Sequence, residues 1–264
     1  MTVFDDELAS EFRQLASAAL AGRPVADSGA VPAALASAGC FDLELSEEFG
    51  GMDLGLAPVT EVFAAMGGAI AAAERAEATS AALDLVTSTS PASASVIDRL
   101  RAGDTTGWEL ARTSTHEWVL RSDSGELPAS TDTPWWSRRL LRQAAYLVGL
   151  ADAGYREAVV HCGRRVVGGQ PLLSKQLVAG RLVRLLGEVR LAWSACREAT
   201  LWLDHGQTDV SPVARAHRLA AQTAVASSRD LVQLLGARGL TDLSVGPRLY
   251  RIAHREAHRL TAAL

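Results

Sequence analysis

The sequence predicts an all-α protein with one small β insertion, and three features of the pattern support this. Apolar residues recur at helical spacing through most of the chain, and the pattern breaks over residues 104–132. Prolines and paired glycines stand between the periodic segments, where helices begin or end. We therefore divide the chain into an N-terminal helical domain (1–103), a β-hairpin and linker (104–132) and a C-terminal four-helix bundle (133–264).

The N-terminal region is predicted to be a set of short helices around one turn. Leu8, Phe12 and Leu15 lie on one face of the first helix. The predicted helices cover residues 4–22, 31–39, 57–87 (one or two helices, interrupted near Gly67-Gly68) and 91–101, with a turn at Gly50-Gly51.

Residues 104–132 are predicted to form one or two β-hairpins. Residues 108–112 and 117–121 are strand-like, and turn residues up to Gly125 and then Pro128 follow them. Four tryptophans lie in or just after this segment: Trp108, Trp118, Trp135 and Trp136. We expect them to form a small core of their own.

Four long helices with short connections follow, as in an antiparallel bundle, at about 134–167, 171–205, 211–237 and 246–263. The corner between the first two contains Gly168-Gly169 and Pro171. A glycine pair suits the left-handed end of a helix, and proline suits the first position of the next one. An arginine and a glutamine at this corner, Arg165 and Gln176, could bind an anion such as a pyrophosphate.

Composition excludes several classes of function. The net charge is −4, so no basic field attracts nucleic acid or anionic lipid. Cys40, Cys162 and Cys196 lack the spacing of metal ligands or of a disulfide framework. No 18-residue apolar span and no signal-peptide pattern occur, and we expect a cytoplasmic protein that binds neither membrane nor nucleic acid.

Five short motifs resemble the acyl-CoA dehydrogenase family, in the family's order and spacing. They cover residues 45–56 (a Glu-Glu-Phe-Gly-Gly turn), 142–153 (the first long C-terminal helix), 165–176 (the helix corner), 233–240 (a Gln-x-x-Gly segment) and 248–251. The resemblance implies a fold with two helical parts, an FAD cofactor and oxidoreductase activity on the CH–CH bond of an acyl thioester.

The resemblance also implies particular residues. In the family, the corner arginine, the glutamine after it and the Gln-x-x-Gly segment reach across a subunit interface to the neighbour's FAD. Those roles fall on Arg165, Gln176, Gln233, Gly236 and Gly239. Two family positions differ, since Gly168 replaces a phenylalanine and Ala237 replaces a glycine.

Two departures from the family are larger. The family has a middle β-barrel domain that holds the flavin ring, and this chain has about 30 residues in its place, at 104–132. The family's catalytic base is a glutamate at one of two positions, which correspond here to Leu260 and Arg139. The nearest acidic residues are Glu256 and Asp132, several positions away, so the usual base is missing.

These features lead to two hypotheses and a weaker third. The first is a partner subunit of an FAD-dependent dehydrogenase, either a homodimer or a heteromer with a full-length acyl-CoA dehydrogenase-like chain. The second is a cofactor-free pocket for cyclisation or dehydration of a polyketide-like or carrier-bound substrate. Its acid–base candidates are His116, Glu117, Asp132, Arg139 and His161. The third is a scaffold without catalysis.

A metal site is not expected. His254 and His258 lie one helical turn apart, which is a possible spacing for two metal ligands, but the sequence offers no third ligand beside them.

Overall fold

The computed structural model describes residues 6–22, 30–70, 73–87, 93–112, 118–122, 125–129, 134–241 and 243–260. These residues are mostly helical. The elements are α1 (Asp6–Leu20), α2 (Ala30–Ser37), α3 (Leu56–Gly68), α4 (Ala73–Thr87), α5 (Ser93–Arg101), β1 (Glu109–Arg112), β2 (Trp118–Ser122), β3 (Gly125–Ala129), α6 (Pro134–Arg164), β4 (Val166–Val167), β5 (Gln170–Pro171), α7 (Gln176–Asp204), α8 (Ser211–Leu235) and α9 (Gly246–Arg259). Short 3₁₀ helices cover Glu47–Phe49, Leu172–Ser174 and Gly236–Leu240.

The predicted fold class is confirmed. Helices α6 to α9 form the C-terminal bundle, in which α8 packs against the other three. Helix α3 packs against α6 and α7, and α1 packs against α3. The predicted break near Gly67-Gly68 separates α3 from α4. Within the described residues, no helix is both long and apolar enough to cross a membrane.

The β insertion is a three-stranded antiparallel sheet in the order β1-β2-β3. This arrangement is two consecutive hairpins, within the predicted one or two, and its third strand contains Pro128, which pairs in register with Val119. Proline has no N–H to donate, but β3 is an edge strand of this sheet, where that loss is tolerated.

Three of the four tryptophans pack against one another, and the four do not form the separate core that was expected. The rings of Trp118 and Trp136 lie 5.7 Å apart, and those of Trp135 and Trp136 lie 5.9 Å apart. Trp108, Trp135 and Trp136 are buried in the same apolar cluster as the helices, and Trp118 packs against it. The sheet is therefore attached to the main core through its aromatic side chains.

The corner between α6 and α7 differs from its prediction. Helix α6 ends at Arg164, and Val166–Val167 then pairs with Gln170–Pro171 as a two-residue hairpin. Gly168 (φ 62°) and Gly169 (φ 77°) form its turn, because a tight hairpin of this kind needs two consecutive residues with positive φ. Pro171 therefore lies in a strand, and α7 begins five residues later at Gln176.

Helices α3 and α6 cross in very close contact. A Cβ on Gly67 would collide with the backbone oxygen of Tyr146, and a Cβ on Gly149 would collide with the backbone oxygen of Ala64. At the other end of α3, the backbone N–H of Leu56 donates to Asp204 Oδ1 of α7 (2.9 Å). The N-terminal helices are thus joined to the bundle at both ends of α3.

We expect Gly149→Ala to destabilise the protein although alanine is the better helix former. The added methyl group would force α3 and α6 apart, and overpacking of this kind costs about 1–3 kcal/mol. The measurement is the free energy of unfolding in urea. Gly163→Ala is the matched control, because Gly163 lies on the same helix with open space around it. It should be neutral or slightly stabilising, and equal effects of the two substitutions would contradict the close crossing.

Candidate functional site

Two arginines of α6 are buried among carboxylates from the N-terminal helices. Arg139 Nε donates to Asp84 Oδ2 (2.7 Å), and its Nη1 donates to Glu77. Arg142 Nη1 donates to Asp84 Oδ1 (2.7 Å), and its Nη2 donates to Glu44 Oε1 (2.6 Å). All five side chains are at least nine-tenths buried. We call this set the buried ion-pair cluster.

The cluster removes Arg139 from the list of proton acceptors. Burial opposes the charge of the guanidinium, but Glu77 and Asp84 outweigh it and raise the pKa of Arg139 above its ordinary value. A guanidinium that stays protonated cannot accept a proton as a general base. Leu260, at the other family position for the base, is fully buried and apolar.

Arg139 and Glu256 line one small cavity, although they are far apart in the sequence. Its other polar lining residues are Glu77, Ser80 and Gln143, and its volume is about 10 Å³, room for about one water molecule. Arg139 Nη2 is buried there without a hydrogen-bond partner among the described residues. The Glu256 carboxylate contacts Arg255 (2.9 Å) and Arg259 (3.6 Å). The cavity is too small for an acyl or polyketide-like substrate.

The carboxylates of this cluster were not among the functional residues predicted from the sequence. Glu77 and Asp84 lie seven residues apart on α4, which is two helical turns and therefore one face. Asp84 stands between Leu83 and Leu85 in an otherwise apolar stretch. Two acidic residues on one apolar helix face indicate buried carboxylates, and buried carboxylates need cationic partners.

A buried histidine joins three helices of the bundle. His217 of α8 is fully buried, and its Nε2 lies 2.7 Å from Gln143 Oε1 of α6. The amide nitrogen of Gln143 donates to the backbone oxygen of Glu256 in α9 (3.2 Å). Because the Gln143 oxygen is an acceptor, the His217 proton lies on Nε2. His217 Nδ1 has no hydrogen-bond partner in the described structure, so the ring is suited to the neutral form.

We expect Arg142→Met to destabilise the protein by about 3–5 kcal/mol. Removal of the guanidinium leaves the buried carboxylates of Glu44 and Asp84 without part of their compensation. The measurement is the free energy of unfolding at neutral pH. Arg218→Met, at an exposed position of α8, is the control and should change stability by no more than about 0.5 kcal/mol. Comparable losses in the two variants would contradict the role of the cluster.

We expect His217 to make the protein less stable in acid. Burial lowers the pKa of His217 from 6.5 to about 4. Between these values the unfolded chain binds a proton that the folded chain does not, so stability falls as the pH drops from 6.5 to 4. The loss is about 3 kcal/mol at 1.36 kcal/mol per pH unit. Urea unfolding across this range should show a shallower dependence in His217→Gln. The control His205→Gln, at an exposed position, should keep the wild-type pH dependence of the free energy of unfolding. If His217→Gln keeps it as well, His217 is not the group responsible for the loss of stability.

The residues that the resemblance assigns to flavin contact lie at one end of the bundle. Arg165, Gln176, Gln233 and Gly236 are exposed and Gly239 is buried. Gln233 Oε1 accepts a hydrogen bond from Arg181 Nη2 of α7 (2.8 Å), which orients the glutamine side chain. Gly236 (φ 62°) allows the chain to leave α8. A Cβ on Gly239 would collide with the backbone of Val232, so this glycine has a packing role.

Arg238 joins this end of the bundle, and the sequence analysis did not single it out. Burial first, and then the charges of Arg238 and Arg165, lower the pKa of His161. Both guanidiniums therefore act on the same imidazole, and His161 is disfavoured as a cation. Neither arginine has an ion-pair partner among the described residues. We call Arg165, Arg238 and His161 the basic corner. The position of Arg238 within the Gln-x-x-Gly segment (233–240) was the feature of the sequence that could have indicated its place here.

Three of the catalytic candidates, His116, Glu117 and Asp132, lie outside the described residues. His254 stacks on Tyr250 with ring centroids 3.9 Å apart. Among the described residues, no group of three histidine, cysteine or acidic side chains is placed to hold a metal ion. The three cysteines are buried and unpaired.

The C-terminal bundle has the fold of the acyl-CoA dehydrogenase C-terminal domain. Residues 138–257 match the family model of the acyl-CoA dehydrogenase C-terminal domain. This match assigns that part of the chain to the acyl-CoA dehydrogenase family, and it confirms the resemblance found in the motifs. No curated protein sequence matches the chain.

Solved structures extend the similarity of fold to the whole chain. A variant of the Tcur3481–Tcur3483 steroid ACAD shares 16% identity (TM-score 0.79; 96% of this chain and 94% of that chain covered). The ChsE4–ChsE5 complex from Mycobacterium tuberculosis shares 16% identity (TM-score 0.75; 98% of this chain and 94% of that chain covered). Butyryl-CoA dehydrogenase from Megasphaera elsdenii shares 15% identity (TM-score 0.72; 97% of this chain and 95% of that chain covered). At these identities the similarity concerns the fold alone.

Proposed function

We propose that this chain is a partner subunit of a heteromeric FAD-dependent acyl-thioester dehydrogenase, to which it contributes flavin contacts across the subunit interface. The observation that carries the proposal is a contrast between two places in the fold. Arg139, at one of the two positions that the resemblance assigns to the base, is held in the buried ion-pair cluster. The polar side chains at the end of the bundle are exposed and available to another chain.

The basic corner fits a diphosphate such as the one in FAD. Arg165 and Arg238 offer planar guanidiniums, which suit phosphate oxygens in two-point contacts. Gln176 and Gln233 add carboxamides for hydrogen bonds at the same end of the bundle. When bound, the flavin would supply the acceptor for hydride from the acyl thioester. In this proposal the catalytic glutamate and the β-barrel belong to the partner.

Two of the similar structures carry names that join two proteins, ChsE4–ChsE5 and Tcur3481–Tcur3483. This supports a heteromer over a homodimer as the flavin-binding unit. The cofactor-free alternative loses Arg139 as an acid–base group, because its guanidinium is held in ion pairs and the cavity beside it has room for about one water molecule.

We expect the chain to be colourless when purified alone and to form a yellow complex with a full-length acyl-CoA dehydrogenase-like partner. Arg165→Met should lower the affinity of the complex for FAD about ten- to a hundredfold, since a hydrogen bond to a charged group contributes about 1.5–3 kcal/mol. The measurement is the flavin absorbance retained after dilution. Arg218→Met is the control and should retain wild-type flavin. Complexes that form stably but never carry flavin would refute the proposal.

A further inference from the structure

The carboxamide of Gln233 is held in one orientation. Arg181 Nη2 of α7 lies 2.8 Å from Gln233 Oε1. A guanidinium carries only hydrogen-bond donors, so the carboxamide atom that faces it must be the oxygen. The amide nitrogen of Gln233, with both of its N–H groups, is therefore left for another acceptor. Within the described part of the chain this nitrogen has no hydrogen-bond partner, and Gln233 is exposed.

Arg181 is itself fixed by a buried carboxylate. Its Nη2 also donates to Asp230 Oδ1 (2.6 Å), and Asp230 is only 5% exposed. Arg184, one turn further along α7, contacts the other oxygen of Asp230 (3.4 Å). The two hydrogens of Arg181 Nη2 are thus used by Asp230 and Gln233. The guanidinium cannot turn away without leaving a buried carboxylate short of its closest partner, and this would be costly.

The structure separates two glutamines to which the family resemblance gives the same role. Gln176 is exposed, and its side chain has no hydrogen-bond partner among the described residues. Its carboxamide can therefore turn to present either the oxygen or the nitrogen. Gln233 can present only N–H groups, and the guanidiniums of Arg165 and Arg238 likewise carry only donors. Together these three side chains match a group that has acceptor oxygens alone.

We propose that Arg181 is a positioning residue. Braced by Asp230, it turns the amide N–H groups of Gln233 toward the ligand and makes this end of the bundle selective for a phosphate group. The inference rests on the proposed function, in which the ligand is FAD. Phosphate oxygens accept hydrogen bonds from guanidinium and amide groups, whereas the amino group of adenine is a donor and finds no acceptor on Gln233. The diphosphate of FAD is therefore the part that lies at Gln233.

Gln233→Glu tests the orientation. The carboxylate keeps one oxygen on Arg181 but replaces the amide nitrogen with a second, charged oxygen that repels phosphate. We expect the affinity of the complex for FAD to fall about tenfold or more, while the free energy of unfolding of the chain stays the same or rises. Gln222→Glu, at an exposed position on the same helix, adds the same charge and is the control. Equal retention of flavin by the two variants overturns the proposal.

Arg181→Met tests the positioning itself. The carboxamide can then turn, and the affinity for FAD should fall about three- to tenfold, which is the contribution of one neutral hydrogen bond. Arg181→Lys keeps donors for both Asp230 and Gln233 and should recover most of this loss. Nuclear magnetic relaxation of the Gln233 side-chain amide should report a rigid group in wild type and in Arg181→Lys. A Gln233 amide that is equally rigid in Arg181→Met contradicts the positioning role, and a Gln233 amide that is mobile in wild type does so even if Arg181→Met does not fold.

Inorganic pyrophosphate separates this inference from the proposed function, because it needs neither flavin nor a partner. Added to the chain alone, it should shift the side-chain amide resonances of Gln233. Its affinity, followed on the backbone amide of Gly236, should be about tenfold lower or less in Gln233→Glu and unchanged in Gln222→Glu. If pyrophosphate binds in this way and no complex ever carries flavin, the proposed function fails and the role of Arg181 stands. If complexes carry flavin but pyrophosphate leaves Gln233 unshifted, the role of Arg181 fails alone.

Discussion

The ion pairs of Arg139 and Arg142 in the core are the constraint on which the rest of the arrangement depends. A buried guanidinium is tolerated only when its charge is matched and its N–H groups are bonded. Their charges are balanced by three carboxylates. Glu77 and Asp84 lie on α4, and Glu44 lies in the loop after α2. The N-terminal helices must therefore dock on α6 in one position, because a shift would leave charges buried without partners.

The same ion pairs decide what Arg139 can do. Its guanidinium is held by Glu77 and Asp84, so it stays charged and cannot accept a proton. The cavity beside it has room for about one water molecule. The ion pairs therefore give this part of the interior a structural role, and the proposed function rests on side chains at the surface.

The surface offers a polar region at one end of the bundle, the basic corner with the nearby carboxamides, which suits a phosphate group. The close crossing of α3 and α6 at Gly67 and Gly149 joins the N-terminal helices to the bundle that carries this region.

The sequence by itself determined the helices, the break between α3 and α4 and the family of the C-terminal bundle. These follow from local periodicity, turn residues and short motifs, all of which lie within a few residues of one another. The ends of the α6–α7 corner were misplaced, because a Gly-Gly pair suits a helix end and a hairpin turn equally well.

Only the tertiary structure decided the roles of the charged residues. Arg139 was a candidate for catalysis until Glu77 and Asp84, more than fifty positions earlier, proved to be its partners. Arg238 was unremarked until the fold brought it near His161 and Arg165. The reason is physical: the energy of a charge depends on its burial and on its neighbours in space. The pattern along a single chain carries neither.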